Sequence, residues 1–95
     1  MYYRGNSNNN LIYRIIMEKP IKYTITLTYR NGQNQFTTQE YTCASEKLFN
    51  ESVMKKIKKY AGGLVHTATF RNENDILILP KALLERTQYL VKIIG

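Results

Sequence analysis

The residues best suited to chemistry in this sequence are the lysines of its middle part. Residues 45–61 carry five basic and two acidic side chains, whereas residues 1–44 carry the same numbers over a much longer stretch. The last 34 residues, 62–95, carry four and three. Clustered ammonium groups bind phosphates, and such contacts give affinity and salt dependence without reading a base sequence. The middle segment therefore favours an anionic partner, either nucleic acid or an acidic protein surface.

Helical spacing separates these lysines from the apolar residues around them. Spacings of four, four and three residues form one apolar stripe: Phe49, Val53, Ile57 and Tyr60. The predicted contact residues lie on the opposite side of this helix and on the hairpin before it: Lys47, Lys55, Lys58, Lys59, Arg30 and Lys22. An ordinary solvated helix has the same pattern, because lysines near a helix C-terminus favour its dipole and Glu51 can pair with Lys55.

Catalytic chemistry has little support in the sequence. The chain holds a single histidine, a single aspartate and a single cysteine: His66, Asp75 and Cys43. A nucleophile needs a base and an orienting group within reach, and no spacing brings these three residues together. The spacing of cysteine and histidine does not suit zinc either. We therefore expect a protein that is not an enzyme, with no catalytic residue, metal or cofactor.

Length and composition narrow the class of protein further. Ninety-five residues, 43% of them hydrophobic and 22% charged, suit one folded domain. One cysteine excludes an intramolecular disulfide and fits the cytoplasm, and no apolar run has the length of a membrane span. The formal net charge of +7 is weaker evidence for a partner. Ile, Lys, Asn and Tyr supply 36 residues, and all four are encoded mainly by A/T-rich codons.

The clearest structural signal is a strict alternation over ten residues. From Ile21 to Arg30, apolar side chains alternate with lysine, threonine and arginine, which predicts a half-buried strand. Asn31-Gly32 then predicts a tight hairpin turn, with Gln35–Cys43 as the returning strand. The exposed threonine row could meet a nucleic-acid backbone, although threonine pairs also stabilise a half-exposed sheet by themselves.

The remaining elements complete an α+β domain. Ser45 predicts the N-cap of a helix over Glu46–Ala61, with Gly62 as its left-handed stop. The later elements are strands over Leu64–Arg71, Ile76–Leu79 and Gln88–Ile94 and a short helix over Lys81–Arg86 that Pro80 opens. The fully apolar run Ile76–Leu79 is typical of the middle of a sheet. The predicted class is a small, mainly antiparallel sheet (β-β-α-β-β-β) with one amphipathic helix packed on one face.

The N-terminal residues leave two interpretations open. Residues 1–16 are predicted to be either a flexible extension or an extra edge strand over Leu11–Met17, and residues 17–95 form the single α+β domain. The first ten residues are polar and rich in asparagine, whereas the strongest pattern begins directly after Met17-Glu18-Lys19-Pro20.

These observations favour a small basic binding module, cytoplasmic and encoded by a phage or another mobile element. Its lysine-rich helix would contact nucleic acid or an enzyme that handles nucleic acid, without any role for a membrane. The alternative is a protein-interaction module or inhibitor that docks a partner, or a second copy of itself, through a sheet edge and exposed tyrosines. The tyrosines available for such contacts are Tyr2, Tyr3, Tyr13, Tyr41 and Tyr89.

Overall fold

The computed structural model describes residues 19–94, so the alternatives for residues 1–16 lie outside the described part of the chain. In chain order its elements are β1 (Ile21–Tyr29), β2 (Asn34–Thr37), β3 (Tyr41–Cys43), α1 (Glu46–Leu48), a π-helical segment (Phe49–Met54), α2 (Lys55–Ala61), β4 (Thr67–Arg71), β5 (Ile76–Pro80), α3 (Lys81–Leu84) and β6 (Gln88–Ile93). The three consecutive helical segments, Glu46 to Ala61, are called the main helix below.

Strand β1 is the centre of a four-stranded antiparallel sheet. It pairs with β2 and β3 along one edge and with β6 along the other, where Tyr23 lies opposite Ile93 and Thr28 opposite Gln88. The apolar side chains of β1 are buried on one face, and its threonines are half-buried on the other. The predicted alternation is confirmed, because successive side chains of a strand point to opposite faces of the sheet.

The returning strand of the hairpin is divided, where the sequence predicts one strand over Gln35–Cys43. Thr38 is buried at the break, and its hydroxyl takes the place of a backbone acceptor for the Ile25 N–H at 3.0 Å. The next residue then turns away from β1, and the Gln39 N–H donates to the carbonyl of Arg71 at 2.9 Å. The break thus ties the first sheet to the end of β4.

The main helix begins and ends where the sequence predicts. Ser45 caps it, since its hydroxyl accepts from the Leu48 N–H at 3.2 Å. The prediction that Gly62 is the left-handed residue is wrong: Gly62 has φ −84° and Gly63 has φ +70°. The Leu64 N–H donates to the carbonyl of Lys59 and the Gly63 N–H to that of Tyr60, a Schellman motif that places its left-handed position at Gly63.

Strands β4 and β5 form a separate two-stranded sheet. Its inner face pairs Ala68 with Leu79 and Phe70 with Leu77. The outer face exposes Ile76 at 57% and Ile78 at 63%. The predicted central position of Ile76–Leu79 is therefore wrong, because a short apolar run does not reveal whether other strands flank it.

The core lies between the main helix, the inner face of β1 and the inner face of β4–β5. Three leucines in it are almost fully buried: Leu27, Leu79 and Leu84. Phe49 and Ile57 extend into this core from the main helix. The predicted α+β class, antiparallel strands with one main helix on one face, is confirmed, and the strands are divided between two sheets.

Candidate functional site

Four exposed lysines surround one buried residue at the C-terminal end of the main helix. Ile57 is only 8% exposed and points into the core, whereas Lys55, Lys56, Lys58 and Lys59 are all exposed. Consecutive helical residues are rotated by about 100°, so Lys56 and Lys58 lie on opposite flanks of Ile57. Lys55 and Lys59 are four residues apart and point outward together.

The π-helical segment brings the fourth predicted lysine of the helix into line with these residues. In an uninterrupted α-helix Lys47 would be rotated by about 80° from Lys55. A π turn accommodates about one extra residue, which reduces this angle to about 20°. We call the exposed residues Lys47, Lys55, Lys58 and Lys59 the lysine face.

The other two predicted cations lie on the first sheet. Lys22 is exposed on the face of β1 opposite the one that packs on the main helix, and Arg30 lies in the turn after β1 with φ +55°. The threonine row next to Lys22 is partly engaged within the sheet, since the hydroxyls of Thr26 and Thr37 are 3.0 Å apart. The structure therefore gathers four of the six predicted cations on one helix and leaves Lys22 and Arg30 elsewhere.

A cavity of about 330 Å³ lies on the other flank of the main helix. It lies between this flank of the helix and strands β1, β3 and β4. Its lining is aromatic and hydroxyl-bearing, with one cation: Tyr23, Ile25, Tyr41, Ser52, Val53, Lys56, Ile57, Tyr60, Thr69 and Phe70. Lys56 is the residue that the sequence interpretation left out. Its position one residue before Ile57 places it on a flank of the helix, but the cavity depends on residues from three distant segments.

Aromatic side chains pack edge to face and at tilted angles around this cavity. The ring centroids of Tyr23 and Tyr41 are 5.7 Å apart, and those of Tyr60 and Phe70 are 5.6 Å apart. The ring centroids of Tyr23 and the buried Phe49 are 5.1 Å apart, and this contact connects the cavity wall to the core. Such contacts are each worth about 0.5–1.5 kcal/mol beyond the area they bury, so the wall is held in place.

Burial raises the pKa values of three tyrosines in this region. Burial raises the pKa of Tyr23 above 10.0, and the nearby Cys43 and Tyr41 raise it further. The pKa of Tyr60 is raised by burial and by Tyr41. Burial and the nearby Tyr60 raise the pKa of Tyr89 to about 12, although the neighbouring Thr87 hydroxyl lowers it in part. Like any tyrosine at neutral pH, all three carry neutral hydroxyls that can donate a hydrogen bond.

The tyrosines differ in whether that hydrogen bond is already made. The hydroxyl of Tyr89 donates to the carbonyl of Leu84 at 2.9 Å. Within residues 19–94, the hydroxyls of Tyr23, Tyr41 and Tyr60 have no hydrogen-bond partner. All three tyrosines belong to the lining of the cavity.

The residues considered for catalysis lie apart from this site. Cys43 is half-buried at the end of β3, His66 is exposed before β4, and Asp75 lies in the turn between β4 and β5. In the described part of the chain, no group of three or more His, Cys, Asp and Glu residues could hold a metal ion. The same residues contain no helix whose length and hydropathy would allow it to cross a membrane.

Comparisons with known proteins add no relative. No protein-family model matches this chain, and no curated protein and no solved structure matches it.

Proposed function

We propose that this chain is a non-enzymatic module that binds nucleic acid through the lysine face. One observation carries the proposal: the main helix presents Lys47, Lys55, Lys58 and Lys59 outward and in line, while its opposite side is fixed in the core by Phe49 and Ile57. The small size, the net charge of +7 and the many residues that A/T-rich codons encode further favour a cytoplasmic accessory protein of a phage or another mobile element.

The spacing of the lysine face suits a phosphate backbone. Residues three and four apart on a helix have Cβ atoms about 5–6 Å from each other, and long lysine side chains can reach phosphates on either side. Each strand of duplex DNA carries one phosphate for every 3.4 Å of the helix axis, so Lys55, Lys58 and Lys59 can each contact a different phosphate. Such contacts provide affinity for any sequence, and discrimination between sequences needs contacts to the bases.

The experiment compares two triple variants that lose the same charge. Lys55→Ala/Lys58→Ala/Lys59→Ala removes most of the lysine face, and Lys19→Ala/Lys81→Ala/Lys92→Ala removes three exposed lysines elsewhere. Fluorescence anisotropy with a labelled oligonucleotide at low salt gives each Kd. We expect the first variant to bind at least about 30-fold more weakly, and the second to bind within about 3-fold of the unmodified chain. Equal losses in both variants would reject the lysine face as the binding surface.

A second candidate function rests on the edge of β6 that no strand within residues 19–94 covers. Within residues 19–94 this strand pairs only with β1, and its Leu90 and Ile93 are 63% and 58% exposed. An open edge with apolar side chains can dock another strand, either from a protein partner or from a second copy of this chain. None of the tyrosines of the described part is exposed, so the edge alone supports this alternative. Light scattering on the purified chain and pull-down after nuclease treatment test it.

A further inference from the structure

We propose that the cavity beside Lys56 takes one unpaired base of a single-stranded nucleic acid whose phosphates lie on the helix lysines. This inference rests on the proposed function and adds a preference for single strands to it. The lysine face contacts phosphates and therefore binds a strand with bases and a strand without bases equally well. An aromatic cavity can stack on a base, so it binds the strand with bases more tightly.

The size and the walls of the cavity suit a single planar ring system. Its volume of about 330 Å³ is at the lower end for ligand pockets, which excludes a run of several bases. Tyr41 and Tyr23 form one wall, and Tyr60 and Phe70 form another. Aromatic side chains of this kind hold unstacked bases in proteins that bind single strands.

The polar groups of the cavity select an acceptor-rich, anionic ligand. Lys56 supplies one ammonium group, and Ser52 adds a hydroxyl to those of the three tyrosines. Among the described residues that line the cavity, Lys56 is the one charged group, so it favours an anionic ligand over a cationic one. A base offers carbonyl and ring-nitrogen acceptors for the hydroxyls, and its phosphate offers an anion for the lysine.

The π-helical segment is the local feature that shapes the cavity. Ser52 and Val53 both lie in this segment, and both line the cavity. A π turn is a rare helical geometry that occurs mostly as a single turn inside an α-helix and frequently lies at functional sites. Here it widens the helix next to the aromatic walls and also aligns Lys47 with Lys55, so one distortion serves both surfaces.

Lys56 connects the cavity to the lysine face. It directly follows Lys55 and precedes Lys59 by three residues, which places all three ammonium groups around the same turn of α2. A strand that inserts one base beside Lys56 can therefore continue along Lys55 and Lys59 with its neighbouring phosphates.

The experiment compares two single strands of equal length and charge, an oligothymidylate and the same backbone without bases. Each is titrated by anisotropy against the unmodified chain and against a variant that fills the cavity, Ser52→Leu. Asn50→Leu is the matched control, because Asn50 is exposed on the same π-helical segment but lies outside the cavity lining. Thermal unfolding of every variant verifies that it folds.

We expect the unmodified chain to bind oligothymidylate about 5- to 100-fold more tightly than the base-free strand, the range for stacking one base. This ratio falls to near one in Ser52→Leu and is retained in Asn50→Leu. A ratio near one in the unmodified chain, with salt-dependent binding of both strands, would overturn the base site and leave the proposed function standing. If neither strand binds at low salt, both proposals are rejected. A ratio that survives in folded Ser52→Leu also overturns the base site.

Discussion

The main helix carries the same side chain in two different settings. Lys55, Lys58 and Lys59 point into solvent, whereas Lys56 borders a cavity walled by tyrosines whose hydroxyls have no hydrogen-bond partner within residues 19–94. The outward lysines can hold phosphates and nothing more. Lys56 combines a charge with aromatic surface, which is the combination that recognises a base. The number of lysines therefore does not reveal which of them could contact a base. The residues that surround each lysine reveal it.

The largest expected effect concerns Ile57, the buried residue that anchors this part of the main helix to the core. Ile57 lies between Lys56 and Lys58 and is buried in the core. Ile57→Ala should lower the free energy of unfolding by about 2–5 kcal/mol, because it leaves a cavity under the helix. Urea denaturation measures this loss. Lys58→Ala is the control and should change stability by less than about 0.5 kcal/mol. A loss under about 1 kcal/mol for Ile57→Ala would contradict this packing.

The next effect separates the two settings by the type of nucleic acid. Tyr41→Leu removes one aromatic wall of the cavity and should weaken single-strand binding by about 10-fold, the worth of one stacked base. Binding of a duplex should stay within about 2-fold, because paired bases do not enter the cavity. Tyr41→Phe retains the ring and should bind within about 3-fold of the unmodified chain. An equal loss for single and double strands would show that Tyr41 acts through the fold.

The third effect is a loss of stability at alkaline pH on the cavity side of the helix. The pKa values of Tyr23 and Tyr60 are raised in the folded chain, and that of Tyr89 is raised to about 12. Because the folded state binds these protons more tightly, their contribution is complete below pH 10 and is lost as pH rises from 10 towards 12.

The free energy of unfolding, measured by urea denaturation, should therefore decline by about 1 kcal/mol between pH 10 and pH 12, after allowance for partial exposure. Tyr89→Phe should show a shallower decline. A urea midpoint that stays constant to pH 12 would contradict the burial of these hydroxyls.

The smallest effect tests whether the outward lysines stabilise the fold. Lys55 and Lys59 are like charges at a spacing of four residues, which costs about 0.2–0.5 kcal/mol in a helix. Glu51 lies four residues before Lys55 and offers an attraction of similar size. Lys55→Gln should therefore change the free energy of unfolding by less than about 0.5 kcal/mol in a urea titration at low salt. A clear loss of stability would assign Lys55 a structural role and weaken the interpretation that its purpose is binding.

Local patterns predicted most of the elements, since each depends on neighbours in sequence. The alternation from Ile21 to Arg30 is a property of one strand, and the Ser45 cap needs only the three residues that follow it. The break at Thr38 was not predictable, because it depends on the distant Ile25 and Arg71. For the same reason, the apolar run Ile76–Leu79 did not reveal that it belongs to a two-stranded sheet.

The candidate site was predictable only in part. The lysine face follows from helical spacing, so Lys55, Lys58 and Lys59 emerge from the sequence without any structure. The helical spacing of the sequence does not reveal the π-helical segment, which changes the alignment of Lys47 with Lys55. The cavity brings Tyr41, Lys56 and Thr69 together from β3, the main helix and β4. Only the tertiary packing shows that Lys56 differs from its neighbours.

The most direct test of the account is the salt dependence of duplex binding. About four phosphate contacts on the lysine face predict that the logarithm of the association constant falls against the logarithm of salt concentration with a slope of roughly −3 to −4. Lys55→Ala/Lys58→Ala/Lys59→Ala retains only Lys47 of this face, so its slope should be near −1. The account is contradicted if the unmodified chain shows no salt-dependent binding, or if the two slopes are the same.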